Sequence, residues 1–529
     1  MAQSVDSQVL HADRLDRNRT FEANVVVIGT GAGGGVTAEI LASAGLEVVM
    51  LEEGGYYTRK DFRMREGEAY TRLYYNVGAR KTRDKGITIL QGRTVGGSTT
   101  VNWTSCFRAP PETLAHWTEV HGLEGWSEAE MAPWFERMEK RLGVETWPIR
   151  NPSNDTLHRG AKKLGWHVAQ IPRNVKACRN LGYCGMGCPV DAKQSMLVTT
   201  IPAALARGAL LIASARAERL EIKGDRVTAV EAVALEANHV DPTGVRIRVE
   251  APYVVLAGGG INSPALLLRS GAPDPHARLG KRTFLHVTNA STALMPERIE
   301  PFYGAPQSAY SNQFLFRDGV AGRLGYKLEI APLHPVTAAV GVLAFGREHA
   351  ALMQQLPHMS PAIALLRDGF HPDSPGGTVT LADDGSPVLD YPLNDYLWEG
   401  VRHAYLSMAE FQFAAGATRV LPSHMDTPAT GYRSLSALDR ALGTELALAP
   451  VRAQLYSAHV MGGCAMGEDP RTSVVNSEGR HHQLTNAWVI DGSTFPTSLG
   501  ANPSLTIYAM AARQASALAQ TVAGRKRAG

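Results

Sequence analysis

Runs of apolar residues with glycines between them predict a β-α-β unit near the amino terminus. The apolar, β-branched segment at residues 25–28 is typical of a strand buried on both faces of a parallel sheet. A helix-forming stretch follows as far as Ala44, and Gly45 ends it. A second apolar run, residues 46–51, predicts the partner strand. Together they form one β-α-β unit.

The turn between the first strand and the helix has the composition of a dinucleotide-binding loop. It satisfies the pattern G-x-G-x-x-G, and an acidic residue follows the second strand about 20 positions later. Such glycines let backbone N–H groups approach a pyrophosphate at the helix N-terminus, and the acid accepts hydrogen bonds from a ribose. The predicted cofactor-binding residues here are Gly29, Gly31, Gly33, Gly34 and Glu52.

Patterns further along the chain predict the remaining architecture. Ser127 and Glu130 form a capping box that begins a helix ending near Leu142. Residues 193–208 favour a helix, and alternating segments up to residue 256 favour strands. The fold class is therefore α/β, with a Rossmann-like lobe of parallel strands and helices. A second, α+β lobe is expected to contain a mainly antiparallel sheet.

We divide the chain into six segments on this basis. An exposed arm is expected at the amino terminus, and the substrate-binding lobe lies between two parts of the cofactor lobe. The segments are the arm at 1–20, the cofactor lobe at 21–110, 193–289 and 456–529, a cap with a cysteine loop at 111–192, and the substrate lobe at 290–455.

Composition and charge exclude several classes of protein. The chain of 529 residues has 53 basic and 50 acidic side chains, a net charge of +3, which does not favour nucleic acid as a partner. No apolar run approaches the roughly 20 residues of a transmembrane helix, and the amino terminus lacks the apolar core of a signal peptide. We expect a cytoplasmic protein, for which peripheral membrane association stays open.

A second glycine-rich loop helps to identify the cofactor, because the first motif alone does not separate NAD from FAD. Residues 92–103 are rich in glycine and hydroxyl groups and contain an arginine, which suits a long cofactor contacted along its whole length. The alternative is an ordinary surface loop. The residues of this loop that we assign to cofactor binding are Arg93, Gly96, Gly97, Ser98 and Asn102.

With both loops in place, the chain resembles the glucose–methanol–choline family of FAD-dependent oxidoreductases. The resemblance rests on four further blocks: GRTVGGSTTVNW at 92–103, AGGGINSPALLLRSG at 257–271, HVMGGCAMG at 459–467 and the segment 489–511. Within the family, the residues around 101–110 and 184–195 are most similar to long-chain alcohol oxidases and their bacterial relatives. Residues 290–455 match loosely.

The resemblance implies FAD as the cofactor and assigns residues at the carboxyl end. His459 is implied as the catalytic histidine and Asn502 as the second active-site residue. Further residues implied to contact FAD are Ala257, Asp491 through its backbone, Gly492, Asn502, Pro503 and Ser504. Members that attach FAD covalently use a histidine where this chain has Val101, so we expect non-covalent FAD. Gly463 replaces a threonine common in the family.

The chemistry of alcohol oxidation agrees with these assignments. A base that is neutral near pH 7 removes the hydroxyl proton while a hydride passes to the flavin, and histidine suits that task. The amide of Asn502 is able to stabilise developing negative charge on oxygen. A different interpretation is that Asn502 caps the helix that begins at Pro503 and extends to about Gln520.

A cysteine-rich loop leaves a metal centre as an alternative. Cys178, Cys184 and Cys188 follow the spacing C-x5-C-x3-C in a glycine-rich loop. Three thiolates in such a loop are able to hold a three-iron cluster, as they do in related sugar dehydrogenases. A similar loop in alcohol and cholesterol oxidases holds no iron. We therefore expect no metal here, and either ordinary buried thiols or an occasional disulfide.

The predicted function is FAD-dependent oxidation of an apolar or aromatic alcohol to an aldehyde or ketone. The electron acceptor, whether oxygen, a quinone or a partner protein, stays open, and the short chain tilts the expectation towards a dehydrogenase. Two alternatives use the same fold: a hydroxynitrile-lyase-like enzyme with structural FAD, and a sugar-dehydrogenase flavoprotein subunit with an iron–sulfur cluster.

Overall fold

The structure is a computed structural model that describes residues 5–528. Its strands run through the whole chain and are numbered in chain order: β1 (Val9–His11), β2 (Arg19–Glu22), β3 (Val25–Ile28), β4 (Val48–Glu52), β5 (Arg80–Lys81), β6 (Ile87–Ile89), β7 (Val144–Thr146), β8 (Ala169–Gln170), β9 (Pro172–Asn174), β10 (Leu210–Ala213), β11 (Ala215–Lys223), β12 (Arg226–Leu235), β13 (Pro242–Glu250), β14 (Tyr253–Leu256), β15 (Thr283–Leu285), β16 (Thr288–Leu294), β17 (Ala309–Phe314), β18 (Gly325–Ile330), β19 (Met359–Arg367), β20 (Thr378–Leu381), β21 (Pro387–Asp390), β22 (Arg419–Pro422), β23 (Leu455–Ser457), β24 (Val460–Gly462) and β25 (Ala487–Val489).

The helices are distributed along the chain between the strands and are also numbered in chain order. They are α1 (Ala32–Ser43), α2 (Glu66–Leu73), α3 (Pro111–His121), α4 (Glu128–Leu142), α5 (Pro152–Lys163), α6 (Thr200–Leu205), α7 (Gly259–Arg269), α8 (Pro335–Gly341), α9 (Gly346–Gln354), α10 (Asp395–Ala414), α11 (Leu435–Thr444) and α12 (Ser504–Ala528). The predicted capping box of Ser127 and Glu130 is present at the start of α4. No helix within residues 5–528 has the length and apolar character needed to cross a bilayer.

A six-stranded parallel sheet forms the core of the cofactor lobe. Its strand order is β1-β10-β4-β3-β14-β25, and every neighbouring pair is parallel. The residues of β3, β4 and β14 are all buried, because helices and loops cover both faces of the sheet. This is the Rossmann-like architecture predicted from the β-α-β pattern.

A large mixed sheet forms the second lobe. Its order is β5-β6-β23-β16-β19-β18-β17-β8, with β22 also pairing with β16, and only β23 and β6 are parallel. The prediction of a mainly antiparallel sheet is confirmed. Its strands come from residues 80–457, so the sheet extends beyond the segment 290–455. β5, β6 and β8 lie outside that segment, and β16 and β23 cross its two ends.

Two local predictions were wrong. The part of the segment 1–20 that the structure describes, residues 5–20, is not an exposed arm throughout, because β1 joins the edge of the parallel sheet beside β10 and Ala12 is fully buried. An open sheet edge is covered in this way. The helix expected at 193–208 is limited to α6, since Lys193 is buried and its ammonium donates to the carbonyls of Thr100, Asn102 and Cys184.

Candidate active site

A cavity of about 1600 Å³ lies where the carboxyl ends of the parallel strands meet the mixed sheet. Ligands bind at this edge in open α/β sheets. The cavity wall includes nearly all of the residues predicted from sequence to bind the cofactor or act in catalysis: Gly29, Gly31, Gly33, Glu52, Arg93, Gly97, Ser98, Asn102, Ala257, His459, Asp491, Gly492, Asn502, Pro503 and Ser504. Gly34 and Gly96 are buried and are not among the lining residues.

The first glycine loop is packed too tightly for side chains. A Cβ atom on Gly33 would overlap the carbonyl oxygen of Ile490. Gly97, with φ of +53°, brings the second glycine loop against the first, and a Cβ there would lie 2.8 Å from the Cα of Gly31. The two loops therefore form one backbone cradle at the N-terminus of α1, where N–H groups and the helix dipole favour a pyrophosphate.

Glu52 is fixed at the end of β4, next to this cradle. Its carboxylate accepts hydrogen bonds from the backbone N–H of Thr30 at 3.0 Å, from the Thr30 hydroxyl at 2.6 Å and from the N–H of Gly54 at 2.9 Å. Burial raises the pKa of Glu52 to about 7, although these hydrogen bonds oppose the rise. The carboxylate is held at the cavity wall, as an acceptor for ribose hydroxyls would be.

Arg93 supplies a donor that the protein leaves unused. Its side chain is buried, and Nη2 donates to the carbonyl of Asn238 at 3.3 Å. The Nε–H is also buried but has no acceptor among residues 5–528. A buried donor without a partner is costly, so this position fits a ligand that brings an acceptor, as the cofactor does.

The carboxylate of Asp491 is directed at neighbouring loops. It accepts hydrogen bonds from the N–H of Gly259 at 2.8 Å, the hydroxyl of Ser263 at 2.6 Å and the N–H of Ser493 at 2.7 Å. These bonds fix the segment that contains Gly492 beside the cavity. The side chain is thus satisfied by protein, which leaves the backbone for the predicted contact with FAD.

His459 is paired with a second histidine that the sequence analysis missed. The Nδ1 atoms of His459 and His286 lie 2.9 Å apart, and the N–H of Gly500 donates to Nε2 of His286 at 3.0 Å. Neutral His286 therefore holds its proton on Nδ1 and donates it to His459. Burial, assisted by the positive charge of Lys327, lowers the pKa of His459 to about 3, so its imidazole is neutral at pH 7.

Asn502 is held by two further residues that sequence reasoning missed, Lys327 and Glu329. Lys327 Nζ lies 3.5 Å from Asn502 Oδ1, and Asn502 Nδ2 donates to Glu329 Oε2 at 3.3 Å. The amide is therefore engaged with the mixed sheet and does not cap α12. The sequence did contain a signal for these two residues. Lys327 and Glu329 are two positions apart and so lie on the same face of β18, a strand whose residues are all buried.

The cysteine loop contains free thiols. Cys184 begins a single turn at Cys184–Met186, and burial raises the pKa of its thiol. Across residues 5–528 no three His, Cys, Asp or Glu side chains gather in an arrangement suited to a metal ion. The backbone around Cys184 instead supports the second glycine loop, because Lys193 joins the carbonyls of Cys184 and Asn102.

The departure at Gly463 has a structural cause. Gly463 has φ of +96°, and a Cβ there would lie 2.9 Å from Cγ of Pro264 in α7. A side chain at this position would be strained whatever its chemistry. The left-handed backbone conformation at Gly463 therefore disfavours the threonine that is common in the family.

These features define a flavoprotein oxidoreductase fold: a dinucleotide cradle opens into a cavity that contains a neutral histidine and an oriented asparagine. Comparison with known proteins specifies the family. Family models described as GMC oxidoreductase match residues 70–288 and 372–511. The chain belongs to the GMC oxidoreductase family.

Relatives extend over nearly the whole chain. An uncharacterised GMC-type oxidoreductase of Mycobacterium tuberculosis is 32% identical over 507 residues, covering 95% of this chain and 76% of the relative. A long-chain-alcohol oxidase of Arabidopsis thaliana is 28% identical over 512 residues, covering 93% of this chain and 68% of the relative. With the family assignment, these matches identify a flavin-dependent enzyme that oxidises alcohols.

Solved structures share the fold. Pyridoxine 4-oxidase superimposes with a TM-score of 0.69 at 18% identity, covering 93% of this chain and 98% of that one. Formate oxidase of Aspergillus oryzae, an FAD protein, gives 0.69 at 14% identity, covering 96% and 99%. The predictions of the family, of the α/β fold class and of FAD are confirmed.

Proposed function

We propose that the protein oxidises an apolar or aromatic primary or secondary alcohol to the aldehyde or ketone, with His459 and Asn502 at the reacting oxygen. The observation that supports this most directly is their meeting in one cavity beyond the dinucleotide cradle. Apolar side chains, among them Ile363, Leu365 and Leu421, line the same cavity on the mixed sheet. Such a wall favours an apolar substrate over a sugar.

FAD fits the residues present. The two glycine loops and Glu52 would hold its pyrophosphate and adenosine ribose, and the segment 491–504 would lie along its ring. When bound, FAD accepts the hydride that leaves the alcohol carbon. Val101 offers no nitrogen for a covalent link, so we expect the cofactor to be released by denaturation.

His459 takes up the hydroxyl proton in this proposal. It accepts at Nε2 only in the tautomer whose Nδ1–H is donated to His286, and that tautomer forfeits the hydrogen bond from Gly500. The N–H of Gly500 and the Nε2–H of His286, both buried, then face each other without an acceptor, which costs about 1–3 kcal/mol for each donor. The imidazolium that forms keeps its Nδ1–H on His286, while the amide of Asn502 donates to the oxygen as negative charge develops.

The test is to measure anaerobic reduction of the bound flavin by an alcohol. The loss of flavin absorbance reports the reduction. Decanol and benzyl alcohol should bleach the flavin of the wild-type protein, and glucose should not. His459→Ala should retain FAD but lose the bleaching rate by roughly 10²–10⁴-fold, the size of a general-base contribution.

His276→Ala is the matched control, because His276 is exposed and does not line the cavity. It should bleach at the wild-type rate. Equal bleaching by the two variants would remove His459 from the mechanism. Admitting air afterwards shows whether oxygen restores the colour, which separates an oxidase from a dehydrogenase.

A further inference from the structure

A buried ion pair lies beneath the active site on the mixed sheet. Lys327 and Glu329 point to the same face of β18, with side chains 1% and 0% exposed and Nζ 3.4 Å from Oε1. Their strand partners on β19, Leu365 and Ile363, line the cavity. Burying two charges costs several kcal/mol per ion before their attraction compensates, so such a pair is weak evidence for stability. Another role is indicated.

The pair holds the two ends of one amide. Lys327 faces Oδ1 of Asn502 at 3.5 Å, and Glu329 accepts from Nδ2 at 3.3 Å. Turning the amide over would place its NH₂ against the ammonium group and its oxygen against the carboxylate. Both contacts would be repulsive, so only one orientation of Asn502 is compatible with the pair.

Surrounding side chains keep the pair in place. Gln307 donates to Oε2 of Glu329 at 2.6 Å, and Ser105 donates in turn to Gln307 at 2.7 Å. Lys327 Nζ lies 2.8 Å from the ring centroid of Phe107 and 4.4 Å from that of Tyr310, where cation–π attraction stabilises the charge. The ion pair is thereby fixed relative to the loop that follows the second glycine motif.

One N–H of Asn502 stays available to a ligand. Nδ2 has two hydrogens, and Glu329 is its one acceptor among residues 5–528. Asn502 lines the cavity beside His459. We propose that Lys327 and Glu329 are positioning residues that fix the amide of Asn502 so that its free N–H, and not its oxygen, faces the substrate oxygen. The inference rests on the proposed alcohol oxidation.

Exchanging the two charges tests this directly. The double variant K327E/E329K keeps an ion pair and the net charge but favours the opposite orientation of the amide. We expect FAD absorbance to be retained and the rate of flavin reduction at saturating alcohol to fall about 100-fold, the loss typical of removing one donor to a developing oxyanion. Flavin reduction within threefold of wild type would overturn the proposal.

A double-mutant cycle covers the case in which the exchanged protein does not fold. Glu329→Gln is nearly isosteric and removes the charged acceptor that holds Nδ2 of Asn502, so the amide is fixed less firmly. If Glu329 acts through Asn502, then Glu329→Gln should slow flavin reduction about tenfold in the wild-type background and hardly at all in Asn502→Ala. Additive effects would overturn the proposal.

The control is a second ion pair of the same lobe. Arg317 donates to Glu399 at 2.9 and 2.6 Å outside the cavity wall, so Arg317→Met should have the same small effect with or without Asn502. Failure of the wild-type flavin to bleach with any alcohol would refute the proposed function. Bleaching by wild type and charge-exchanged protein alike would refute only the positioning role.

Discussion

Thr30 donates two hydrogen bonds to the carboxylate of Glu52, one from its backbone N–H at 3.0 Å and one from its hydroxyl at 2.6 Å. The same hydroxyl accepts from the N–H of Gly96 at 2.9 Å. Thr30 thus connects Glu52, the acid that we propose binds the ribose, to both glycine loops. The cradle is therefore one hydrogen-bonded unit, and disturbing any part of it should affect cofactor binding.

Replacing Glu52 should weaken FAD binding. Glu52→Ala removes an acceptor for the ribose and leaves the N–H of Thr30 without its partner, at a cost of about 1.5–3 kcal/mol for a hydrogen bond to a charged group. The Kd for FAD should rise roughly 10–100-fold, measured by quenching of flavin fluorescence on titration into apoprotein. Glu47→Ala is the control, since Glu47 is exposed at the opposite end of β4. Equal affinities would contradict the assignment.

The stability of the apoprotein should depend on pH through Glu52. Its folded pKa of about 7 exceeds the ordinary value of 4.5, so the folded state binds the extra proton between these values. The unfolding free energy of wild type relative to Glu52→Gln should therefore fall by about 3 kcal/mol as pH rises from 4.5 to 7. Urea unfolding at several pH values measures this, and a parallel pH dependence of both proteins would disprove it.

The pH dependence of catalysis should lack the acid limb of an ordinary histidine. His459 is active when unprotonated, and its pKa of about 3 keeps it so above pH 5. The rate of flavin reduction should therefore not fall as the pH is lowered from 7 to 5, and it should decline only as the pH approaches 3. Stopped-flow absorbance measures the rate. A halving of the rate near pH 6.5 would show an unshifted histidine instead.

Adding one methyl group to the cradle should abolish it. Gly33→Ala places a Cβ on the carbonyl oxygen of Ile490, which is backbone and cannot move aside cheaply. We expect protein that is isolated without FAD or unfolds at a lower temperature, as differential scanning calorimetry would report. Gly443→Ala in α11, where a Cβ meets nothing within 4 Å, should be stable or gain up to about 1 kcal/mol. Similar behaviour of both variants would refute the packing argument.

Local patterns in the sequence predicted much of the cofactor lobe. Residues 25–52 encode both strands, the helix and the glycine turn within one short window, so each local preference agrees with the fold. The helix after Asn502 was also predicted, and it starts at Ser504. Prediction from sequence agrees best with the structure where the contacting residues are close together in the chain.

The partners of the active-site residues were not predictable in this way. His286 and His459 are 173 positions apart, and Glu329 and Asn502 are 173 positions apart as well. The pairing of β15 with β24, in which Leu285 lies opposite Val460, brings the two histidines together. Glu329 meets Asn502 where β18 of the mixed sheet contacts the segment before α12. The prediction of a helix from residue 193 was wrong because contacts outside that segment decide its conformation. The ammonium of Lys193 donates to carbonyls of the second glycine loop and of the cysteine loop.

The strand order of the parallel sheet bears on how the polypeptide is made in the cell. Its edge strand β25 lies at Ala487–Val489, next to β14 at Tyr253–Leu256, and β3 beyond it is at Val25–Ile28. A ribosome that has synthesised the first 450 residues has therefore produced neither the closing strand nor His459 and Asn502. The flavin pocket of the nascent chain therefore stays incomplete until the segment 487–502 has been synthesised.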